Sequence, residues 1–243
     1  MPILTLSGLL SGFSFENVQY YLLMFLVLCV SLSIHEAAHG WVAWRLGDDT
    51  AALQGRLTLN PLKHLDPIGS LAFLIAGIGW ARPVPINPAR FDRKHSIKKG
   101  IMLTSLAGPG SNLILSAIAA FLFFVVLTIT GLVRVQADHF LINILTQLFY
   151  LMYFYNIILA VFNLLPIPPL DGFKIFGSLL PDQIYFKLMR VERYIGLVFL
   201  VLVLFGRGML SRVLQTIRMP FDWLIWQPIE FIFTALWRTL GIG

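Results

Sequence analysis

YYLLMFLVLCVSLSIHEAAHGWVAW, residues 20–44, is the stretch of sequence that most constrains the fold. It is long enough and apolar enough to cross a bilayer as a helix, and Arg45 follows it. Within it, His35, Glu36 and His39 form the pattern H-E-x-x-H. Ionisable side chains are costly at membrane depth, so three of them in one apolar helix need a compensating partner. A divalent metal ion bound by these side chains would be such a partner.

The spacing of the two histidines suits a metal site. Residues four positions apart lie on one face of a helix, so His35 and His39 can bind the same ion. Glu36 lies beside the first ligand, where its carboxylate can take a proton from a metal-bound water. H-E-x-x-H also arises by chance in soluble proteins. Its position in a membrane span, where an unpaired Glu or His is strongly unfavourable, favours metal binding.

The composition indicates a membrane protein. The 243-residue chain is 58% hydrophobic and only 12% charged, whereas about 25% of residues are charged in an average soluble domain. The net charge of +6 could indicate nucleic-acid binding, but the charged residues lie in loops between apolar segments. We therefore expect a lipid bilayer around the chain and no nucleic-acid partner.

The apolar segments predict an all-α polytopic membrane protein with three core transmembrane helices. After residues 20–44, a second span is expected at about 101–130 and a third at about 140–165. The apolar segment 68–80 is too short to cross a bilayer. It predicts a short re-entrant or β-like segment between the first two spans.

The C-terminal part, residues 194–240, is expected to add one or two membrane helices. Its last segment, 220–240, is aromatic but interrupted by charged residues and a proline. It could be a further span or a helix lying in the interface, and we favour the interface. The whole chain, residues 1–243, is expected to form a single membrane-embedded domain with its core at about 20–175.

Basic residues predict the orientation. The loop between the first two spans carries nine Lys and Arg residues, whereas the next loop carries only Arg134. The positive-inside rule therefore places the first loop in the cytoplasm and the N-terminus outside. His35 precedes Arg45 by about ten residues, or roughly 15 Å of helix. We expect water to reach the site from the cytoplasmic side.

Two imidazoles do not complete a catalytic zinc site, which usually has three protein ligands. Asp171 lies in NLLPIPPLDG, residues 163–172, directly after the third span. The prolines stop the helix, Gly172 permits a sharp turn, and irregular backbone at membrane depth is tolerated where it lines a cavity. The local pattern alone favours an ordinary helix stop. A metal site that lacks a ligand makes Asp171 the candidate for the third position.

These motifs resemble the site-2 protease family of intramembrane zinc metalloproteases. H-E-x-x-H in one span and N-x-x-P-x-P-x-x-D-G in a later one carry the resemblance over roughly residues 20–175. GPGSN, residues 108–112, resembles a further element of the family. GRLTLNPLKHLDP, residues 55–67, resembles its compact bacterial members, which implies a bacterial plasma membrane. The PDZ and CBS domains of some relatives are not expected.

The resemblance implies a site and an activity. One Zn²⁺ per chain would be bound by His35, His39 and Asp171, with Glu36 as general base or acid. The reaction would be hydrolysis of peptide bonds within the transmembrane segments of single-span membrane proteins. Such a substrate would be cut in the course of regulated intramembrane proteolysis.

Four further polar residues are candidates for supporting roles. Asn112 and Asn163 could stabilise a developing oxyanion or position the substrate, or could simply bond or cap helices. His64 and Asp66 could approach the metal ligands, or could hold a turn at the surface, which we favour.

Two other functions remain open from the sequence. One is a metal-binding membrane protein without proteolysis, such as a transporter or an inactive regulator, and the presence of Glu36 argues against it. The other is a membrane zinc protease of the type that cleaves prenylated proteins. Those enzymes take a ligand from a later Glu-x-x-x-Asp motif, whereas Glu192 is followed by Gly196 here.

Overall fold

The computed structural model describes residues 15–76, 80–92, 94, 96–133, 139–185, 187, 194–196, 198, 201 and 207–242. Across these residues the backbone is mostly helical and forms no strand, apart from an isolated bridge between Leu65 and Ala81. The predicted all-α architecture is therefore confirmed. The apolar run at 194–205 lies mostly outside the described residues.

The helices are numbered in chain order. They are α1 (Phe15–Arg45), α2 (Thr50–Leu53), α3 (Pro61–His64), α4 (Pro67–Ala76), α5 (Ile97–Val133), α6 (Phe140–Asn163), α7 (Asp171–Ser178), α8 (Arg207–Phe221) and α9 (Gln227–Leu240). A 3₁₀ turn covers Pro88–Arg90, and a π-helical turn at Asp222–Trp226 joins α8 to α9.

Three helices are long and apolar enough to cross a membrane: most of α1 from Asn17, all of α5 and all of α6. The prediction of a three-helix core is confirmed at this level. The segment predicted as re-entrant or β-like forms α4, so it is helical as far as Ala76. Its entry into the membrane stays a prediction.

Helix α5 is central, because it packs against α1, α6 and α7. Small residues on α5, Ala119 and Ala120, contact a buried face of α6 that includes Tyr153 and Ile157. Small side chains let two helices approach closely within a bilayer, where apolar burial alone does not hold them together. This close packing fixes the position of α5 beside α6.

The direction of the three long helices decides where the site can form. His39 contacts Thr104 and His35 contacts Gly108, so α1 and α5 run antiparallel. Helix α6 runs back along α5, with Ile142 near Thr130 and Ile157 near Ala119 and Ala120. The end of α1, the start of α5 and the end of α6 therefore lie at one end of the molecule. His35 precedes the end of α1 by about ten residues, and Gly108 follows the start of α5 by about as many. Both therefore lie roughly 15 Å from the same end.

Helices α8 and α9 form a continuous helical segment from Arg207 to Leu240 through the π turn. Trp226 packs against Phe124 of α5 with ring centroids 5.0 Å apart. Further along, Trp237 Nε1 donates to Thr128 Oγ1 at 2.7 Å. Helix α9 thus runs beside the C-terminal half of α5. The number of C-terminal membrane spans stays a prediction.

Candidate metal centre

Three ligand atoms converge between α1 and the start of α7. The Nε2 atoms of His35 and His39 lie 3.0 Å apart. Asp171 Oδ2 lies 3.2 Å from each of them. Both histidines are buried, and only 12% of the Asp171 side chain is exposed. Among the described residues, no second cluster of three His, Cys, Asp or Glu ligands is found.

The size of this triangle fits zinc. With zinc–nitrogen and zinc–oxygen bonds of about 2.0–2.2 Å, neighbouring ligand atoms of a tetrahedral site are separated by roughly 3.3 Å. The three separations of 3.0, 3.2 and 3.2 Å are close to that value. Two neutral imidazoles and a carboxylate are also a donor set that zinc accepts.

The carbonyl of Thr104 on α5 orients His39. His39 Nδ1 lies 2.7 Å from this oxygen, which can only accept, so Nδ1 carries the proton and donates. In a neutral imidazole, Nε2 then has a free lone pair, and this lone pair faces His35 and Asp171. Metal-binding histidines commonly use their second nitrogen in this way. Thr104 was not expected from the sequence, because a backbone carbonyl is common to every residue type.

Gly108 makes room for the two imidazoles where α5 passes α1. A Cβ atom at this position would lie within 2.6 Å of His35 Nε2 and closer still to His39 Nε2. Both separations are far below van der Waals contact, so no larger residue fits without moving a ligand. Gly108 belongs to the GPGSN motif, but its contact with the histidines could not be predicted from that motif.

The turn after α6 brings Asp171 to the histidines. Helix α6 ends at Asn163, and Asp171 is the first residue of α7. Gly172 packs directly on the turn, because a Cβ there would collide with the carbonyl oxygens of Leu164 and Leu165. The chain can therefore fold back tightly enough for the Asp171 carboxylate to reach α1.

Glu36 lies next to the ligands and has a partner of its own. Its Oε2 accepts a hydrogen bond from the backbone N–H of Val84 at 2.8 Å. Val84 is buried and belongs to the irregular stretch before the Pro88–Arg90 turn. The carboxylate is thus held in a defined position beside the metal ligands. The sequence offered no signal for this contact.

Arg56 is a buried cation that contacts the backbone just before Val84, and only 7% of its surface is exposed. Its Nη2 donates to the carbonyl oxygens of Arg82 at 2.8 Å and Pro83 at 3.2 Å. Burial lowers the pKa of the Arg56 guanidinium, as does the charge of Arg82, whereas the Glu36 carboxylate raises it. From the sequence, Arg56 was expected only to be one of the basic residues of the loop between the first two spans.

The two asparagine candidates bond within their own helices. Asn112 is fully buried in α5, and its Oδ1 lies 3.5 Å from Ser111 Oγ. Asn163 Nδ2 donates to the Leu159 carbonyl at 3.0 Å. Neither contact reaches His35, Glu36 or His39. An oxyanion-binding or substrate-positioning role for these two residues stays a prediction.

His64 and Asp66 are bonded to the loop between α1 and α5. His64 is buried, with Nε2 2.7 Å from the Thr58 carbonyl. Asp66 Oδ1 accepts from the Gly69 backbone N–H at 2.8 Å, at the start of α4. These contacts are typical of residues that hold turns, and a role of His64 or Asp66 beside the metal ligands stays a prediction.

Comparison with known proteins identifies relatives. The model of "Peptidase family M50" matches residues 124–205. A Bacillus subtilis protein named "Putative zinc metalloprotease YwhC" is 47% identical over 177 residues, which are 73% of this chain and 78% of that protein. No solved structure matches the chain significantly.

Two mycobacterial relatives are more distant. Both are named "Putative zinc metalloprotease Rip2", and both are 32% identical to this chain, over 169 residues for Mycolicibacterium smegmatis and 181 for Mycobacterium tuberculosis. The matches cover 68% and 72% of this chain, but only 58% and 63% of the relatives.

Proposed function

This chain belongs to peptidase family M50, and we propose that it is an intramembrane zinc metalloprotease that cleaves single-span membrane proteins. One observation carries the proposal: His35, His39 and Asp171 meet in a triangle of zinc-site size, with Glu36 beside them on a helix long enough to cross a membrane. We place this machinery in a core at about residues 20–175 of a single membrane-embedded domain.

Each residue has a role in the proposed reaction. His35, His39 and Asp171 would bind one Zn²⁺ per chain. When bound, zinc supplies a Lewis acid that polarises a carbonyl and acidifies water. Glu36 takes the proton from the attacking water and afterwards donates it to the leaving amine. The Thr104 carbonyl keeps the proton of His39 on Nδ1, away from the ligand nitrogen.

The proposed setting is the plasma membrane of a bacterium, with the N-terminus outside. The basic loop between α1 and α5 supports a cytoplasmic position for that loop. His35 is only about ten residues from that end of α1, which supports access of water from the cytoplasmic side. A substrate would then be cut toward the cytoplasmic side of the membrane, and a cytoplasmic fragment would be released.

A metal-binding membrane protein without proteolysis is not favoured. The chain belongs to a peptidase family, and the relatives it matches are named putative zinc metalloproteases. Metal binding alone also requires no carboxylate at Glu36, whereas hydrolysis requires a proton acceptor there.

The test uses the purified full chain in lipid vesicles with a panel of single-span membrane proteins. The wild-type protein, loaded with zinc, should cleave at least one member within its transmembrane segment. The Glu36→Gln protein is the matched control, since it keeps all three ligands and should leave the panel intact. A folded, zinc-loaded wild type that cleaves no member, or cleavage that Glu36→Gln does not reduce, would count against the proposal.

A further inference from the structure

We propose that residues 82–87, which we name the proline strap, hold the Glu36 carboxylate in its catalytic position, and that Arg56 is the positioning residue that fixes the strap. The inference rests on the proposed function, because it assigns a cause to the orientation of the general base. It concerns residues other than the three proposed metal ligands.

The sequence of the strap makes it stiff. It reads Arg-Pro-Val-Pro-Ile-Asn, so prolines stand at 83 and 85. Proline fixes its own φ and restricts the preceding residue to extended conformations, which keeps Arg82 and Val84 extended. Proline also lacks a backbone N–H. From 83 to 85, Val84 therefore supplies the one backbone donor, and this donor binds Glu36 at 2.8 Å.

Arg56 fixes the strap immediately before that donor. Its guanidinium binds two consecutive carbonyls, those of Arg82 and Pro83. A guanidinium is a planar group with donors in fixed directions, so two bonds from it restrict both the place and the rotation of a peptide segment. Arg56 and Val84 are buried and the two bonds are partly buried, so competition from water is reduced.

Both ends of the strap form hydrogen bonds with residues of the loop between α1 and α5. The Arg82 backbone N–H donates to the His64 carbonyl at 2.7 Å. The Asn87 backbone N–H donates to Asp48 Oδ2 at 2.6 Å, and Asp48 is only 1% exposed just beyond the end of α1. The strap therefore takes its position from buried polar groups.

The strap also packs directly on the catalytic helix. A Cβ at Gly40, one turn after Glu36, would lie 3.1 Å from Val84 Cγ1, so helix and strap are in close contact. A glutamate has three side-chain torsions, and a single donor at a fixed place selects among the rotamers they allow. Without that donor, Glu36 would spend less time where it can reach the attacking water. A displacement of about 1 Å in a catalytic group can cost on the order of 100-fold in rate.

The test compares Arg56→Ala and Arg56→Lys with Lys63→Ala, which removes an exposed cation from the same loop. The readouts are kcat and KM for the panel member that the wild type cleaves fastest, together with zinc content. Arg56→Ala should lower kcat by about 10- to 100-fold, with KM and zinc content near those of the wild type. Arg56→Lys should recover part of the loss, since a lysine can still donate to one carbonyl. Lys63→Ala should match the wild type.

Backbone hydrogen exchange of the peptide that covers the strap tests the geometry without any substrate. Arg56→Ala and Glu36→Ala should each speed exchange in this peptide, and Lys63→Ala should not. If Arg56→Ala does not fold, Val84→Pro removes the donor itself, and Val84→Ala is its control because it keeps the N–H. Val84→Pro should then lower kcat much more than Val84→Ala does.

The outcomes separate the two proposals. An unchanged kcat in Arg56→Ala, a loss of zinc that accounts for the lost activity, or unchanged exchange in both Arg56→Ala and Glu36→Ala would overturn the strap proposal. If Arg56→Ala does not fold, equal kcat values in the two Val84 variants would overturn it. A wild type that cleaves nothing while the exchange results come out as expected would overturn the protease assignment and leave the strap geometry supported.

Discussion

Glu36 and His35 are neighbours on α1 with different partners. Glu36 accepts from the Val84 backbone, whereas His35 Nε2 faces His39 and Asp171. Glu36→Gln should therefore keep about one zinc per chain while cleavage falls by orders of magnitude, because an amide is no base. Elemental analysis and the cleavage assay, applied to the same preparation, measure both. Full cleavage by this variant would show that Glu36 is not the general base of the reaction.

Substitution of a metal ligand should instead reduce the zinc content. His39→Ala removes an imidazole from the triangle and should lose the zinc. Asp171→Asn should weaken zinc retention, because an amide is a poorer ligand than a carboxylate. Zinc content after purification without chelator is the measurement. A wild type with almost no zinc would contradict the site itself.

Gly108 and Gly110 provide a matched pair on α5. Gly108→Ala places a methyl group against both imidazoles, and it should greatly reduce both zinc content and activity. A Cβ at Gly110 meets nothing within 4 Å. Gly110→Ala should therefore keep full zinc content and stabilise the helix by up to about 1 kcal/mol through propensity alone. Equal zinc content in the two variants would show that α5 does not approach the histidines as described.

At the scale of the helices, Asn156 joins α6 to α1. Its Nδ2 donates to Ser31 Oγ at 2.8 Å, and both residues are fully buried. Hydrogen bonds between membrane helices contribute on average about 0.6 kcal/mol, and up to about 1.7 kcal/mol. Asn156→Ala should thus lower the free energy of unfolding by about 1 kcal/mol or somewhat more, as the truncation also leaves a space.

Unfolding in mixed micelles measures this change. Thr146→Ala is the control on the same helix, because among the described residues the Thr146 hydroxyl donates to two carbonyls of α6, those of Ile142 and Asn143. It should change stability by no more than a few tenths of a kcal/mol. Equal losses in the two variants would mean that the bond between helices contributes nothing measurable.

At the scale of the whole molecule, the basic loop predicts the orientation in the membrane. Ser96 is exposed just before α5, and His139 is exposed just before α6, at the opposite end of α5. In a Cys29→Ala background, Ser96→Cys should be protected from an impermeant thiol reagent added outside intact cells. His139→Cys should be labelled. The reverse pattern would overturn the topology and the predicted side of cleavage.

The sequence by itself determined the features that depend on local periodicity and hydropathy. Three spans follow from runs of apolar residues, and the placement of His35, Glu36 and His39 on one helical segment follows from 3.6 residues per turn. The prolines and Gly172 marked the turn that carries Asp171, because these residue types restrict or permit backbone conformations wherever they occur.

Only the tertiary structure decided how these pieces support one another. The bond from His39 to Thr104 joins residues 65 positions apart, and the bond from Val84 to Glu36 joins residues 48 apart. One partner in each bond is a backbone atom. Every residue has a backbone carbonyl and every residue except proline has a backbone N–H, so composition and spacing do not reveal these bonds. The need for glycine at 108 likewise arises only where α5 crosses α1. Contacts of this kind depend on the packing of separate segments, which no local pattern specifies.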